Sequence, residues 1–410
     1  MNKLELAVYN VVKDNPKLKQ KIVDAYQIIL GFVPQKSFQC NYPSVQRPGY
    51  FFGFHDKSPF SADGKLLLAH GPLKKDNRVL PGEKINVGFF SESGWTKYQK
   101  VGETDAWNWQ LGSMLQWKGS AVVYNTIINN DVRSKVVDLN GSVTAEYAYP
   151  IVHVSSDGCY ASSYDFIRIE AAMPGYGAVL HTPHLDDKKR NSFRIFRCAD
   201  GKVTFELSLE EAMSISPQPS MMGAFHFFHH SLFNPSSDRT FFLHRWVDKN
   251  ERRWTRMFSV GITGEDLYLF PMDEMVSHIT WADSERVFAY ARMPGKGDGY
   301  HLITDRIGES TQFFENVLNS DGHPTYDVAR KIIITDTYPD RFRNQFLVLG
   351  LAETQQRINI ARLHLPRKFR KELQVDLHPR LHPLQFVACI DTGHAGTRSL
   401  LTIDFRDAMP

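Results

Sequence analysis

Four histidines recur at one position of a repeated pattern. His230, His278, His323 and His378 each stand three residues before Phe233, Trp281, Tyr326 and Leu381, large residues that precede a polar turn. Three earlier copies carry Lys57, Met114 and Ile151 in that column, before Phe60, Trp117 and Val154. Histidine supplies 16 of 410 residues. Four in a seven-member column would arise by chance only about once in a thousand, even allowing for the choice of column. Equivalent positions on neighbouring repeats lie at one height, so the imidazoles are expected to face one another across a shared cavity. Three chemistries use such a set: metal ligation, acid/base catalysis, or a histidine core tying loops by hydrogen bonds. Taken singly, each is more simply a core residue. As a set, a shared ligand is the better reading, because burying several imidazoles without a common purpose is costly. Neutral imidazole suits Mn, Fe, Ni or Zn, and three histidines with an open position suit a catalytic ion.

Other polar residues fall at comparable places. Asp376 precedes His378 in DLHPR, Asp321 precedes His323 in DGHP, and Arg245 follows an apolar run in FLHRW. The segment TDTYPDR supplies Asp336, Tyr338, Asp340 and Arg341. Some of these would serve only to cap turns, as Asp and Asn routinely do. Trp107, Trp109 and Gln110 in DAWNWQLG fit a sugar platform, aromatic faces stacking on a ring while an amide reads hydroxyls; filling the space between repeats is the equal alternative.

The elements that must position these groups are strands. From about residue 50, short β-branched or aromatic runs alternate with Gly, Asp, Asn and Pro turns. Seven copies of strand, polar turn and apolar strand can be aligned, and their anchors Phe60, Trp117, Val154, Phe233, Trp281, Tyr326 and Leu381 are 57, 37, 79, 48, 45 and 55 residues apart. Those are blade lengths of a propeller. The long interval holds an expected insertion at about 170–190 and a further hairpin, FRIFRCADGKVTFEL, with an Ala-Asp-Gly turn. The fold class is therefore all-β, a seven-bladed β-propeller over 36–410. One blade cannot bury both faces alone, and a ring of seven can. Residues 1–35 form a helical extension: Leu4, Val8, Val11 and Val12, then Leu18, Ile22, Tyr26, Ile29 and Leu30, keep helical spacing on either side of Asn15-Pro16. Lys13, Lys17, Lys19 and Lys21 give it a basic face, which leaves a homo-oligomer contact or a membrane-surface contact open to it.

The formal charge of +3, from 48 Lys and Arg against 45 Asp and Glu, gives no argument for nucleic acid. Cys40, Cys159, Cys198 and Cys389 form no C-x-x-C pair and read as reduced. No stretch approaches the roughly 20 apolar residues of a membrane span, and no signal-peptide pattern opens the chain, so a cytoplasmic protein is expected. There is no G-x-G-x-x-G after a strand, no Walker loop, no H-E-x-x-H and no G-x-S-x-G.

The segments FGFHDKSPFSADGKLLLAH, NPSSDRTFFLHRW, SHITWADSERVFAYAR, DGHPTYDVARKIIITDTYPD and DLHPRLHPLQFVACIDTGHAGTR resemble blade motifs of the oligogalacturonate lyase-like family, seven-bladed propellers of TolB-type architecture. The resemblance spans about residues 50–406, and DLHPR and TDTYPD are its more specific elements. It implies a divalent metal, manganese first with Zn, Ni, Fe or Ca as alternatives, held by His278, His323 and His378. It implies His230 as the base that removes a proton from a uronic acid. The family pattern also has a Gln and a closely spaced His pair in a later blade, where this chain offers His378 and His382 and no Gln in an evident match. Arg245 and Tyr338 are assigned to catalysis, as carboxylate binder and leaving-group acid. His55, Lys57, Trp109, Gln110, Arg341 and Arg380 are assigned to binding an acidic oligo- or polysaccharide. The expected activity is metal-dependent β-elimination. A glycoside hydrolase using Asp336 and Asp376, and a non-catalytic saccharide-binding or scaffold propeller, are the alternatives.

Overall fold

The computed structural model describes residues 33–410 apart from 74, 184 and 186–190, together with Ile22, Gln27 and Leu30. The proposed extension over 1–35 therefore lies almost wholly outside the described residues. Gln27, in helical conformation, accepts hydrogen bonds from Arg343 at 3.2 Å and Arg370 at 3.1 Å.

The strands group into seven antiparallel sheets, which form seven blades. All seven anchors fall at an inner edge. Phe60 bridges Leu67 in blade 1, and the others lie on the inner strands Gln116–Lys118, His153–Val154, Phe225–Phe233, Val276–Trp281, Thr325–Asp327 and Arg380–Leu381. Composition follows depth. Ile332–Asp336, the second strand of blade 6, is buried throughout because blades cover both its faces. Lys97–Thr104, at the outer edge of blade 1, keeps only Val101 and Thr104 buried. The aromatic and branched residues left between blades form the core. Ile334 and Leu349 of blade 6 meet Ile390 and Ile403 of blade 7, and Phe193 stacks on Phe242 across blades 3 and 4 at 4.0 Å.

Two strands have no counterpart in the repeats. Ser44–Pro48 pairs with Ser399–Asp404 as the outer strand of blade 7, so the start of the ring clasps its end. Phe38–Cys40 adds a fifth strand to blade 6 beside Gln356–His364. The clasp satisfies a sheet edge that would otherwise stay open.

Blade 3 carries the expected insertion. It opens with α1 (Phe166–Ala172), whose first turn is capped by the Asp165 carboxylate on the N–H groups of Ile167 and Arg168. A second short helix, α2 (Leu209–Ser214), has a full capping box between Ser208 and Glu211. Both pack against the Phe225–Phe233 strand and raise one wall of the ring beside blade 4. Among the described residues no helix is long and apolar enough to cross a membrane.

Several histidines are buried as neutral groups, and this fixes the acid response of the fold. His70 is fully buried, its Nε2 accepts the Ser113 N–H at 3.0 Å, and burial lowers its pKa to about 3. His244 accepts from Arg256 at 3.0 Å and is pushed well below 6.5 by burial and by that arginine. Unfolding frees each ring to bind a proton near its ordinary pKa. The stabilisation is complete above about pH 6.5 and is lost as pH falls toward 3, at about 1.4 kcal/mol per pH unit for each such ring. Denaturant unfolding of chelator-treated protein at a series of pH values should show stability falling steadily below about pH 6.5. A flat response down to about pH 5 would contradict the neutral assignment.

Candidate metal and catalytic site

Blade 1 supplies the hub. The Asp391 carboxylate accepts the N–H groups of Phe52 at 2.9 Å and Gly53 at 2.8 Å, and Arg380 donates to the Gly53 carbonyl at 2.8 Å. Gly53 has φ +124°, and a Cβ there would meet the Leu111 backbone, so only glycine makes this corner. The corner delivers Phe54 into the centre of the ring. Its phenyl ring stacks on His230 at 4.4 Å and lies 5.0, 5.9 and 6.0 Å from His378, His323 and His278. The four column histidines thus surround one side chain. His55 follows, with both ring nitrogens buried and without a hydrogen-bond partner among the described residues, its ring 5.5 Å from that of His323 and 5.8 Å from that of His278.

Backbone strain aims two of the four. His230 and His378 both have φ +45°, and His230 sits where the inner strand of blade 4 bulges between His229 and Ser231. A left-handed non-glycine residue costs of order 1 kcal/mol and persists where the surroundings enforce it. Here the Tyr164 hydroxyl holds the His230 N–H at 3.1 Å, and Asp336 holds that of His378 at 3.1 Å.

On the side of blades 6 and 7, His323, Asp376 and His378 each offer a ligand atom within 4.8 Å of the others, and all three are buried. Asp336 organises two of them. Its carboxylate takes the His323 Nδ1 at 2.8 Å, which leaves Nε2 for the cavity, and also the N–H groups of His323, Leu377 and His378. His278 stands beside this group with its ring 4.1 Å from that of His323, its Nδ1 bonded to Asp321 at 3.0 Å. The pocket is electronegative. Burial opposes charge on His323, but Asp336, Asp376 and Asp321 outweigh it and raise its pKa, whereas burial raises that of Asp376. Two imidazoles and a carboxylate, backed by further carboxylates, suit Mn, Fe or Zn, so the donor set fits a divalent ion.

The opposite side, on blade 4, is cationic. Arg245 is buried and donates to the His229 Nδ1 at 2.9 Å; among the described residues it pairs with no carboxylate. Burial and Arg253 lower its pKa to about 10. Among the described residues His230, with its ring 3.8 Å from that of His229, makes no hydrogen bond through either ring nitrogen. Burial, His229 and Arg245 hold its pKa well below 6.5. It is a neutral imidazole at pH 7, the state a general base requires. Tyr338 lies beside the ligand group, its ring 5.4 Å from that of His323 and 6.2 Å from that of His278. The residue is 44% exposed, and desolvation together with the nearby Asp376 and Asp321 raises its phenol pKa well above 10.

Three residues assigned to substrate binding face elsewhere. Trp109 is 3% exposed, its indole N–H bonds the Asn77 carbonyl, and Trp107, Phe51 and Arg398 cover its ring, so no face is open to a sugar. Arg380 is 1% exposed and paired with Asp391, closing the corner beneath the hub. Lys57 is buried against both oxygens of Asp56 at 2.8 Å, a closed ion pair. Gln110 reaches the site only indirectly: it donates to the Gln374 carbonyl, and Gln374 donates to Asp376. Arg341 is exposed on the loop after Tyr338. His382 packs on Phe60 and Trp95, away from His378. The sequence reading did not single out Phe54, His229 or Tyr176. A His-His pair inside an apolar strand, HFFHHS, was the available signal for His229.

Two solved structures match nearly the whole ring. An oligogalacturonate lyase in complex with manganese aligns over 92% of this chain and 99% of its own, at a TM-score of 0.61 and 12% identity. An oligogalacturonate lyase from Vibrio parahaemolyticus aligns over 92% and 100%, at 0.60 and 12%. The fold is that of the oligogalacturonate lyases. No family model and no curated protein matches the sequence.

Proposed function

We propose that the protein is a metal-dependent lyase that cleaves a uronic-acid-containing oligo- or polysaccharide by β-elimination. One observation carries the reading: a single mouth has a carboxylate-backed ligand group on one side and, on the other, a histidine whose ring makes no hydrogen bond among the described residues, beside an arginine that has no carboxylate partner among them. Elimination needs both halves. The proton to be removed lies α to a carboxylate and is weakly acidic, so negative charge must be stabilised as it develops. A divalent ion, manganese first, held by His323, Asp376 and His378 with His278 adjacent would supply Lewis acidity toward that carboxylate. Arg245 binds the carboxylate through charge-assisted hydrogen bonds. His230 takes the C5 proton, the C–H electron pair becomes the C4–C5 double bond, and the C4–O4 bond breaks. Tyr338 donates its phenolic proton to the departing O4 oxygen. The matched fold, one of whose members was solved with manganese, supports this choice of chemistry.

Hydrolysis is less well served. It asks for two carboxylates in acid and base roles, whereas both oxygens of Asp336 are committed to His323, Leu377 and His378. Product masses separate the two. Metal-loaded protein on uronic-acid oligosaccharides should give fragments whose masses sum to that of the substrate, and fragments that together gain one water would establish hydrolysis instead.

A further inference from the structure

The blade 3 insertion brings one more side chain to the cationic side. Gly175, Tyr176 and Gly177 form a loop that is clamped from both sides. The Glu170 carboxylate accepts the N–H groups of Gly175 at 2.9 Å and Gly177 at 3.1 Å, and Asn108 donates to the Gly177 carbonyl at 3.0 Å. A Cβ on Gly177 would collide with the Phe166 carbonyl and the Glu170 backbone, so the loop closes only with glycine there. Tyr176, held between them, sets its ring edge-on to His229 at 5.9 Å. It is half-buried, and among the described residues its hydroxyl has no partner.

His229 has a fixed tautomer. Its Nδ1 faces the Arg245 guanidinium, which can only donate, so Nδ1 accepts and the proton sits on Nε2. That Nε2–H is buried and has no acceptor among the described residues, and neither has the Nε–H of Arg245. Donors without acceptors therefore gather on one wall, with no carboxylate paired to the arginine. Leaving such groups unsatisfied is costly, and an ionised carboxylate would satisfy several together.

We propose that Tyr176, His229 and Arg245 form a clamp for an ionised sugar carboxylate, with Tyr176 as a specificity-determining residue, so that the site takes free uronates and rejects their methyl esters. The proposal rests on the uronide reading of the same mouth and adds to it the ionic state of the sugar. An ester keeps the carbonyl acceptor but loses the charge and one acceptor oxygen, and its methyl group meets donors.

The test is calorimetric binding of D-galacturonate and of its methyl ester to chelator-treated protein, in which neither metal nor turnover contributes. The acid should bind at least about tenfold more tightly than the ester. Tyr176→Phe should weaken the acid about tenfold, leave the ester unchanged and keep the unfolding midpoint, because the lost hydroxyl has no partner among the described residues. Gly177→Ala, which displaces the loop while retaining Tyr176, should lose the same discrimination. Equal binding of acid and ester, no measurable binding of the acid, or wild-type discrimination in Tyr176→Phe would overturn the clamp. Acid-selective, Tyr176-dependent binding in a protein that forms no elimination product would leave the clamp standing and sink the lyase. Product without discrimination would do the reverse.

Discussion

His230→Gln should lower turnover on a uronide substrate by about 10²–10⁴-fold while leaving bound metal and the unfolding midpoint close to wild type. The size follows from the role. His230 carries a neutral imidazole on the cationic side beside Arg245, whereas His323 and His278 are held through Nδ1 by Asp336 and Asp321 on the ligand side, and the Nδ1 of His229 accepts from Arg245. Gln keeps polarity and approximate length, removes the titratable nitrogen, and leaves the backbone contact to Tyr164 in place. Turnover and metal content measured on one preparation decide the matter. Wild-type turnover in this variant would remove His230 from the chemistry, and loss of metal together with activity would place it among the ligands instead.

Asp336→Ala should act on the other half of the site. Its carboxylate accepts the His323 ring N–H and three backbone N–H groups, those of His323, Leu377 and His378, at 2.8 to 3.1 Å. Alanine leaves these donors buried without acceptors, at about 1–3 kcal/mol each, so a loss of about 3 kcal/mol or more is expected in denaturant unfolding. The same change frees the His323 ring and the backbone of His378, and metal affinity should fall about 10–100-fold. Asp336→Asn separates the effects. It retains one acceptor oxygen and the volume, so most of the stability should return while His323 remains poorly oriented. Metal titration of both variants gives the answer, and wild-type affinity in Asp336→Ala would show that the ligand group is organised some other way.

The ring was legible because each blade repeats one local rule, a short strand, a polar turn and an apolar strand, and turn chemistry marks each copy. The histidine column was legible for a related reason, since equal positions in equal blades converge at one height. The clasp between Ser44–Pro48 and Ser399–Asp404 left no such trace, because its partners are some 350 residues apart and either segment alone reads as an ordinary edge. Second-layer groups were equally hidden. Asp336 was visible as a residue after a strand, yet that it organises two ligands depends on where blade 7 begins. Tyr176 depends on the path of an irregular loop, which no periodicity encodes. Trp109 was misplaced because an indole suits a sugar platform and an interblade filler alike, and burial, which decides between them, is a property of the assembled ring.

The central claim is elimination at a mouth that holds both metal and base. It is tested most directly by following the ultraviolet absorbance of unsaturated uronide as metal-loaded protein acts on a panel of unesterified uronic-acid oligosaccharides, with chelated protein alongside. The account predicts a rise on at least one substrate that disappears with the chelator and returns when manganese is restored. A flat trace across the panel, from protein shown to carry its metal, would contradict it.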